Sequence, residues 1–157
     1  MNKQNFETTV DQLNTLLSNY HVYYQNLRNF HWNVNGENFF DLHNKFEDLY
    51  NDAKLKIDEI AERILTLRYR PTSEMSEYLR RSSIEEAGKI DSDHKMVDIT
   101  LNNHRILIEN MRQVIEVADK AQDEGTIDLI AGFLSELEKK SWMLDAWRSK
   151  KMKSVEA

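Results

Sequence analysis

Apolar positions recur at helical spacing along almost the whole chain. Val10, Leu13, Leu17, Tyr20, Tyr24, Leu27 and His31 follow one another every three or four residues and lie along one face of a helix that runs to about Trp32. The next stretch, Asn33-Val34-Asn35-Gly36-Glu37, carries turn chemistry. Asn38 is placed to cap a second helix, with Asp41 in the first turn, where a negative charge suits the unpaired amides. That helix shows Leu42, Phe46, Leu49, Ala53, Ile57, Ile60 and Ile64 on one face. It has to stop before Pro71, which lacks an amide donor and drives Arg70 out of the helical region. Between Thr72 and Asp93 the periodicity shortens, and Met75, Tyr78 and Leu79 predict one brief helix inside a long connection. A third helix follows with Met96, Ile99, Leu107, Met111, Val114 and Val117. A fourth carries Ile127, Ile130, Leu134, Leu137, Leu144 and Trp147, with the break near Gly125. No strand-like alternation or internal repeat interrupts this pattern. The fold class is therefore all-α: a ferritin-like four-helix bundle with a short extra helix in the long connection between helices two and three.

Composition narrows the picture. A chain of 157 residues buries roughly 70% of its unfolded surface, enough for one core, so a single domain is expected over residues 1–157. With no Cys there is neither a disulfide framework nor a thiolate metal site, and a reducing cytoplasmic setting is expected. The opening MNKQNFETTV has no basic segment leading into an apolar run, and nothing approaches the ~18 apolar residues of a membrane span. A net charge of −6 argues against tight, non-specific DNA binding by the whole chain. The dense basic cluster Arg148, Lys150, Lys151 and Lys153 falls in residues 148–157, expected to form a flexible basic tail, and a DNA role would have to rest there.

Four metal-ligand residues stand where a simple bundle would prefer carbon: His31, His43, Asp58 and Glu62. Asp58 and Glu62, four residues apart, project from one side of the second helix, a spacing suited to one hard divalent cation; such a pair is also common on a solvated helix face. His31 and His43 bracket the corner between the first two helices. At about 1.5 Å per residue, His43 and Asp58 are roughly 22 Å apart, so the two pairs cannot share a metal within one subunit. A composite site would need two copies in antiparallel two-fold contact, which would create two equivalent sites per pair. The Glu-x-x-His motif of an intra-bundle di-iron centre is absent.

The run His31-Trp32-Asn33-Val34-Asn35-Gly36-Glu37-Asn38-Phe39-Phe40-Asp41-Leu42-His43, continuing through Phe46-Glu47-Asp48-Leu49-Tyr50 to Asp58-Glu59-Ile60-Ala61-Glu62-Arg63, resembles the Dps family, the mini-ferritins of starved bacterial cells. Weaker similarity at Asp128-Leu129-Ile130 and Trp142-Met143 extends the resemblance over nearly the whole chain. It implies a dodecameric shell with ferroxidase centres at the two-fold interfaces, His31 and His43 coming from one subunit and Asp58 and Glu62 from its mate. Iron, as Fe2+ and Fe3+, is the implied metal, with zinc as a competitor that geometry rather than affinity must exclude. Hydrogen peroxide is the implied oxidant, ahead of oxygen, and the ferric product is stored as mineral inside.

Several further positions take a role only through the resemblance. Glu47 is a subsidiary metal candidate, and Glu47, Asp48 and Asp52 would contribute to an acidic inner wall, although a solvated helix face explains them equally well. Asp119, Glu124 and Asp128 would line an iron-entry pore, although Glu124 and Asp128 also suit the start of a helix. Trp32 would intercept stray oxidising equivalents, with packing as its favoured role. His21, His94 and His104 read as structural or exposed. Leu67-Arg68-Tyr69-Arg70-Pro71 departs from the glycine pair many relatives carry after the second helix, and Lys3 is the lone basic residue of the short N-terminus. Two alternatives stand beside the ferroxidase: a nucleoid-binding protective protein with little iron chemistry, and a shell with a structural zinc site.

Overall fold

The computed structural model describes residues 5–156, with side chains through Ser149. Its elements are α1 (Glu7–Asn33), α2 (Phe39–Thr66), the short α3 (Met75–Arg81), α4 (Asp93–Lys120) and α5 (Glu124–Glu156), and no strand occurs among the described residues. α1 packs on α2 and α4 on α5, α1 and α4 join the two pairs, and α3 lies on α1. This is the four-helix bundle with a long crossover that the spacing predicts. Its core is a continuous apolar cluster: Leu13, Leu17, Tyr20, Leu27 and Phe30 of α1; Leu42, Phe46, Leu49, Ile60 and Ile64 of α2; Met96, Leu107, Met111 and Val114 of α4; and Ile130, Phe133 and Leu137 of α5. Each buried side chain of this size contributes about 1.5–3 kcal/mol relative to exposure.

α1 is buried on a second face that hydrophobic periodicity does not reveal. Its amides hold the crossover: Asn14 Oδ1 accepts from the amide of Thr72 at 2.9 Å, and Asn19 Oδ1 accepts from the amide of Ser83 at 2.7 Å. Further along, Asn26 donates to the carbonyl of Glu85 at 3.0 Å and accepts from the amide of Ala87 at 2.9 Å, and Asn29 donates to the carbonyl of Gly88 at 2.8 Å. A loop pressed against a helix needs partners for its backbone groups, and these side chains supply them.

Helix boundaries depart from expectation at three points. α2 stops at Thr66, before Pro71 acts, because Arg68 adopts a left-handed φ of 73° while the amides of Arg68 and Tyr69 return to the carbonyls of Leu65 and Ile64. The same motif ends α4 around Gln122, φ 57°, so the break precedes Gly125, which lies in the first turn of α5. Asn38 sits at the N-cap of α2 without capping it; its amide instead donates to Asp93 at 2.9 Å, tying the starts of α2 and α4 together. The backbone of α5 remains helical through residues 148–156 of the expected tail. Arg148 is paired with Asp98 at 2.8 Å and Asp145 at 2.6 Å, while the side chains of Lys150, Lys151 and Lys153 lie outside the described residues.

Candidate metal centre

The turn between α1 and α2 builds one half of the candidate centre. α1 closes with the amide of Val34 on the carbonyl of Phe30 at 2.9 Å, Gly36 takes a φ of 97°, and the amide of Phe39 returns to the carbonyl of Gly36 at 3.1 Å. The compact corner stacks His31 on His43 with ring centroids 3.8 Å apart and planes 17° from parallel. Each imidazole also holds the other's backbone: His31 Nδ1 donates to the carbonyl of His43 at 2.7 Å, and His43 Nδ1 donates to the carbonyl of His31 at 2.8 Å. The carbonyl of His31 lies in the last turn of α1, where no intrahelical partner remains, so the second bond also caps the helix. A carbonyl can only accept, and both Nδ1 atoms must therefore carry the proton. In the neutral imidazoles this leaves the Nε2 lone pairs available as metal ligands.

Aromatic neighbours fix the two rings. Phe39 stacks on His43 at 4.8 Å, and Tyr50 meets His31 edge-on at 5.3 Å. Neither was singled out by the sequence reading, although Tyr50 follows His43 by two helical turns and so shares its face. Trp32 is 56% exposed, with the Arg28 guanidinium 5.0 Å from its ring. Arg28 also covers Tyr24 at 5.1 Å, and Tyr24 meets Tyr50 at 5.9 Å, so Trp32 is linked to His31 through Arg28 and two tyrosines.

The other half lies further along α2. Asp58 and Glu62 are exposed on a stripe with Leu55 and Leu65, which are 62% and 53% exposed. Spacings of three, four and three residues put all four on one side of the helix. Among the described residues of a single chain, no three His, Asp or Glu side chains gather to hold a metal ion. One chain therefore presents an imidazole half and a carboxylate half that do not meet.

The remaining candidates fall into separate environments. Glu47 is half-buried and Asp48 exposed, whereas Asp52 is paired with Lys56 at 3.2 Å and Lys140 at 2.8 Å. Asp119, Glu124 and Asp128 are exposed around the α4–α5 junction. Asp128 shares an open groove of about 330 Å³ with Glu59, Glu62 and Arg63, so α5 borders the carboxylate half. The junction is organised by Asp123, which accepts from the amide and hydroxyl of Thr126 at 3.2 and 2.5 Å and from Arg63 at 2.8 Å.

The other histidines are structural. His21 stacks on Tyr78 at 3.8 Å, and His94 lies 5.3 Å from the Trp147 ring. His104 is enclosed between the Tyr23 hydroxyl at 2.7 Å and the Ser141 hydroxyl at 2.8 Å. Burial, assisted by the charges of Lys140 and Lys45, lowers its pKa to about 3 and keeps it neutral.

The chain is similar over most of its length to known proteins. The ferritin-like domain family matches residues 10–152. DNA protection during starvation protein 2 of Bacillus anthracis is 41% identical over 147 residues, covering 94% of this chain and 98% of its own. The crystal structure of a Dps protein from Vibrio cholerae O1, described as a member of a broad superfamily of ferritin-like diiron-carboxylate proteins, superposes with a TM-score of 0.90 at 41% identity, over 94% of this chain and 92% of that one. The Bacillus brevis Dps structure gives 0.88 at 39% identity, over 94% and 97%. With this bundle and this extent of similarity, the chain belongs to the Dps family of ferritin-like proteins.

Proposed function

We propose that the chain is a ferroxidase and iron store whose catalytic unit is a pair of subunits. The reading is carried by one observation: an imidazole pair with available Nε2 atoms and an exposed carboxylate pair flanked by exposed leucines lie too far apart to serve one metal in one chain. An antiparallel contact between two copies of α2 would bury Leu55 and Leu65 and bring His31 and His43 of each copy to Asp58 and Glu62 of the other. Imidazole with carboxylate suits ferrous iron. Twelve subunits would close a shell around the ferric product, with Glu47 and Asp48 as unpaired acids to receive it and Asp119, Glu124 and Asp128 near an entry point.

Peroxide is the oxidant that the family resemblance implies, and it takes its electrons from two ferrous ions. Each ferrous ion gives one electron, the O–O bond breaks, two protons are taken up, and two ferric ions and two waters result. Both electrons leave together, so no hydroxyl radical is released. Protection of DNA, the role in the names of the relatives, then follows from removing iron and peroxide rather than from coating. The ion pairs of Arg148 with Asp98 and Asp145 favour this over a DNA contact by the tail.

Complementation tests the shared site. A chain with His31→Ala and His43→Ala and a chain with Asp58→Ala and Glu62→Ala should each assemble and lack peroxide-dependent ferroxidation. Dissociated and reassembled together in equal amounts, they should recover about one quarter of wild-type activity, because half of the pairs are mixed and each mixed pair holds one intact site of two. No recovery in assembled mixed shells would overturn the reading.

A further inference from the structure

A second group of metal-type ligands lies along the α2–α5 seam, partly open to solvent and filled by a side chain: Glu136 is 54% exposed and Asp52 27%. Asp52 and Glu136 stand near the middles of α2 and α5 and converge on one ammonium: Lys56 Nζ lies 2.6 Å from Glu136 Oε2 and 3.2 Å from Asp52 Oδ1. The Lys56 side chain is only 10% exposed, and its ammonium sits 4.8 Å from the ring of Phe133, a core residue. Lys140 takes the other oxygen of Asp52 at 2.8 Å. Fully buried Tyr20 lies beneath, its phenol held above the ordinary range by burial and by the charges of Asp52 and Glu136, so the two carboxylates act on the interior. Burial works against the Lys56 charge, but hydrogen bonds to Glu136 and Asp52 outweigh it and raise its pKa.

We infer that the Lys56 ammonium occupies a divalent-cation position between Asp52 and Glu136 and thereby keeps metal out of the α2–α5 seam. Two carboxylate oxygens from facing helices, both within 3.2 Å of one point, form the beginning of a hard-cation site. A metal there would sit about 2.0–2.2 Å from each oxygen, a displacement that side-chain rotation supplies. Ferritin-like bundles that hold metal internally use carboxylates projecting from facing helices. Here two carboxylates from α2 and α5 are bridged by a covalently attached cation, with the charge of a metal but no vacant coordination position. Lys56 is on this account a specificity-determining residue that confines metal to the subunit interface. The inference is independent of complementation between chains, since it concerns contacts within one chain.

Anaerobic equilibrium titration with Co2+, which is visible by its d–d absorption, tests it. Lys56→Gln and Lys56→Met remove the charge while keeping a side chain over Phe133. Either variant, folded by circular dichroism, should bind one more Co2+ per chain than wild type, and the gain should vanish in Lys56→Gln with Glu136→Gln. Lys56→Arg, which retains the charge, should show no gain. An unchanged stoichiometry in a folded neutral variant overturns the inference, as does an equal gain in Lys56→Arg. If both neutral variants fail to fold alone, folding restored by Co2+ supports the inference, and failure of Co2+ to restore it overturns the inference.

Discussion

The guanidinium of Arg63 and the carboxylate of Asp123 meet at 2.8 Å, joining the end of α2 to the start of α5. Arg63 also donates through Nε to the Thr126 hydroxyl at 3.0 Å, which lays its guanidinium across Gly125. A Cβ at position 125 would stand 2.6 Å from Arg63 Nη2. Gly125→Ala, normally a gain in a helix, should therefore displace Arg63 from a buried acid and destabilise the chain by about 1–2 kcal/mol. In an Arg63→Ala background the same substitution should stabilise by about 0.5–1 kcal/mol. Urea midpoints of the four proteins check this reversal of sign.

Both long-helix stops described above place a side-chain-bearing residue in the left-handed region, Arg68 at φ 73° and Gln122 at φ 57°. Neither conformation suits an L-residue, and glycine adopts both freely. Arg68→Gly and Gln122→Gly should each stabilise by about 0.5–1 kcal/mol after the greater unfolded-state entropy of glycine is subtracted. The two gains should add in the double variant, as read from denaturation curves.

Acid should weaken the bundle through His104. Its pKa is about 3 in the folded chain against 6.5 for an ordinary imidazole, so between these values the unfolded chain binds the proton and the folded chain does not. The stability contributed by this difference is fully present above pH 6.5 and falls by about 1.4 kcal/mol per pH unit below it. His104→Gln should flatten the loss by close to one proton over that window, measurable from urea midpoints at about pH 7 and about pH 5.

The exposed leucines on α2 allow assembly to be tested without touching a ligand. Leu55→Lys should leave single-chain helicity and stability within about 0.5 kcal/mol of wild type, because the position is exposed. Sedimentation should then show loss of the assembled form, and ferroxidation should fall with it. An assembled, active Leu55→Lys protein would show that this stripe lies outside the contact.

Much of this was legible in the spacing of side chains. The faces of α1 and α2, the short α3 and the long crossover follow from apolar positions three and four apart, because burial selects them. The separation of His43 from Asp58 along one helix likewise follows from the sequence, and with it the need for two chains in the proposed centre. The helix stops were less legible, since a left-handed residue is recognised in sequence by glycine, and Arg68 and Gln122 are not glycine. Asn14, Asn19 and Asn26 were invisible for a related reason: a polar residue in a helix reads as solvated until the segment that covers it is known. Tyr50 and Phe39 carry no metal-ligand signal in the sequence, and their contact with the imidazoles depends on the angle of the corner. Asp52 and Lys56 are four apart and legible as a helical pair, but the contacts of Asp52 with Lys140 and of Lys56 with Glu136 reach across to α5 and have no signature in local spacing.

The crossover is fastened to α1 chiefly through uncharged amides, whereas α2 and α5 are joined at both Arg63–Asp123 and Lys56–Glu136 by charges. Amides carry no net charge to be screened, while partly exposed ion pairs weaken as ionic strength rises. Salt therefore acts most on the seams of α5, which also pairs Arg148 with Asp98 of α4, and less on the crossover, where Arg81–Asp11 is the ion pair to α1. The α5 seam should exchange its backbone hydrogens first under such stress, while α1 and its overlying strap remain protected as the last cooperative unit to open.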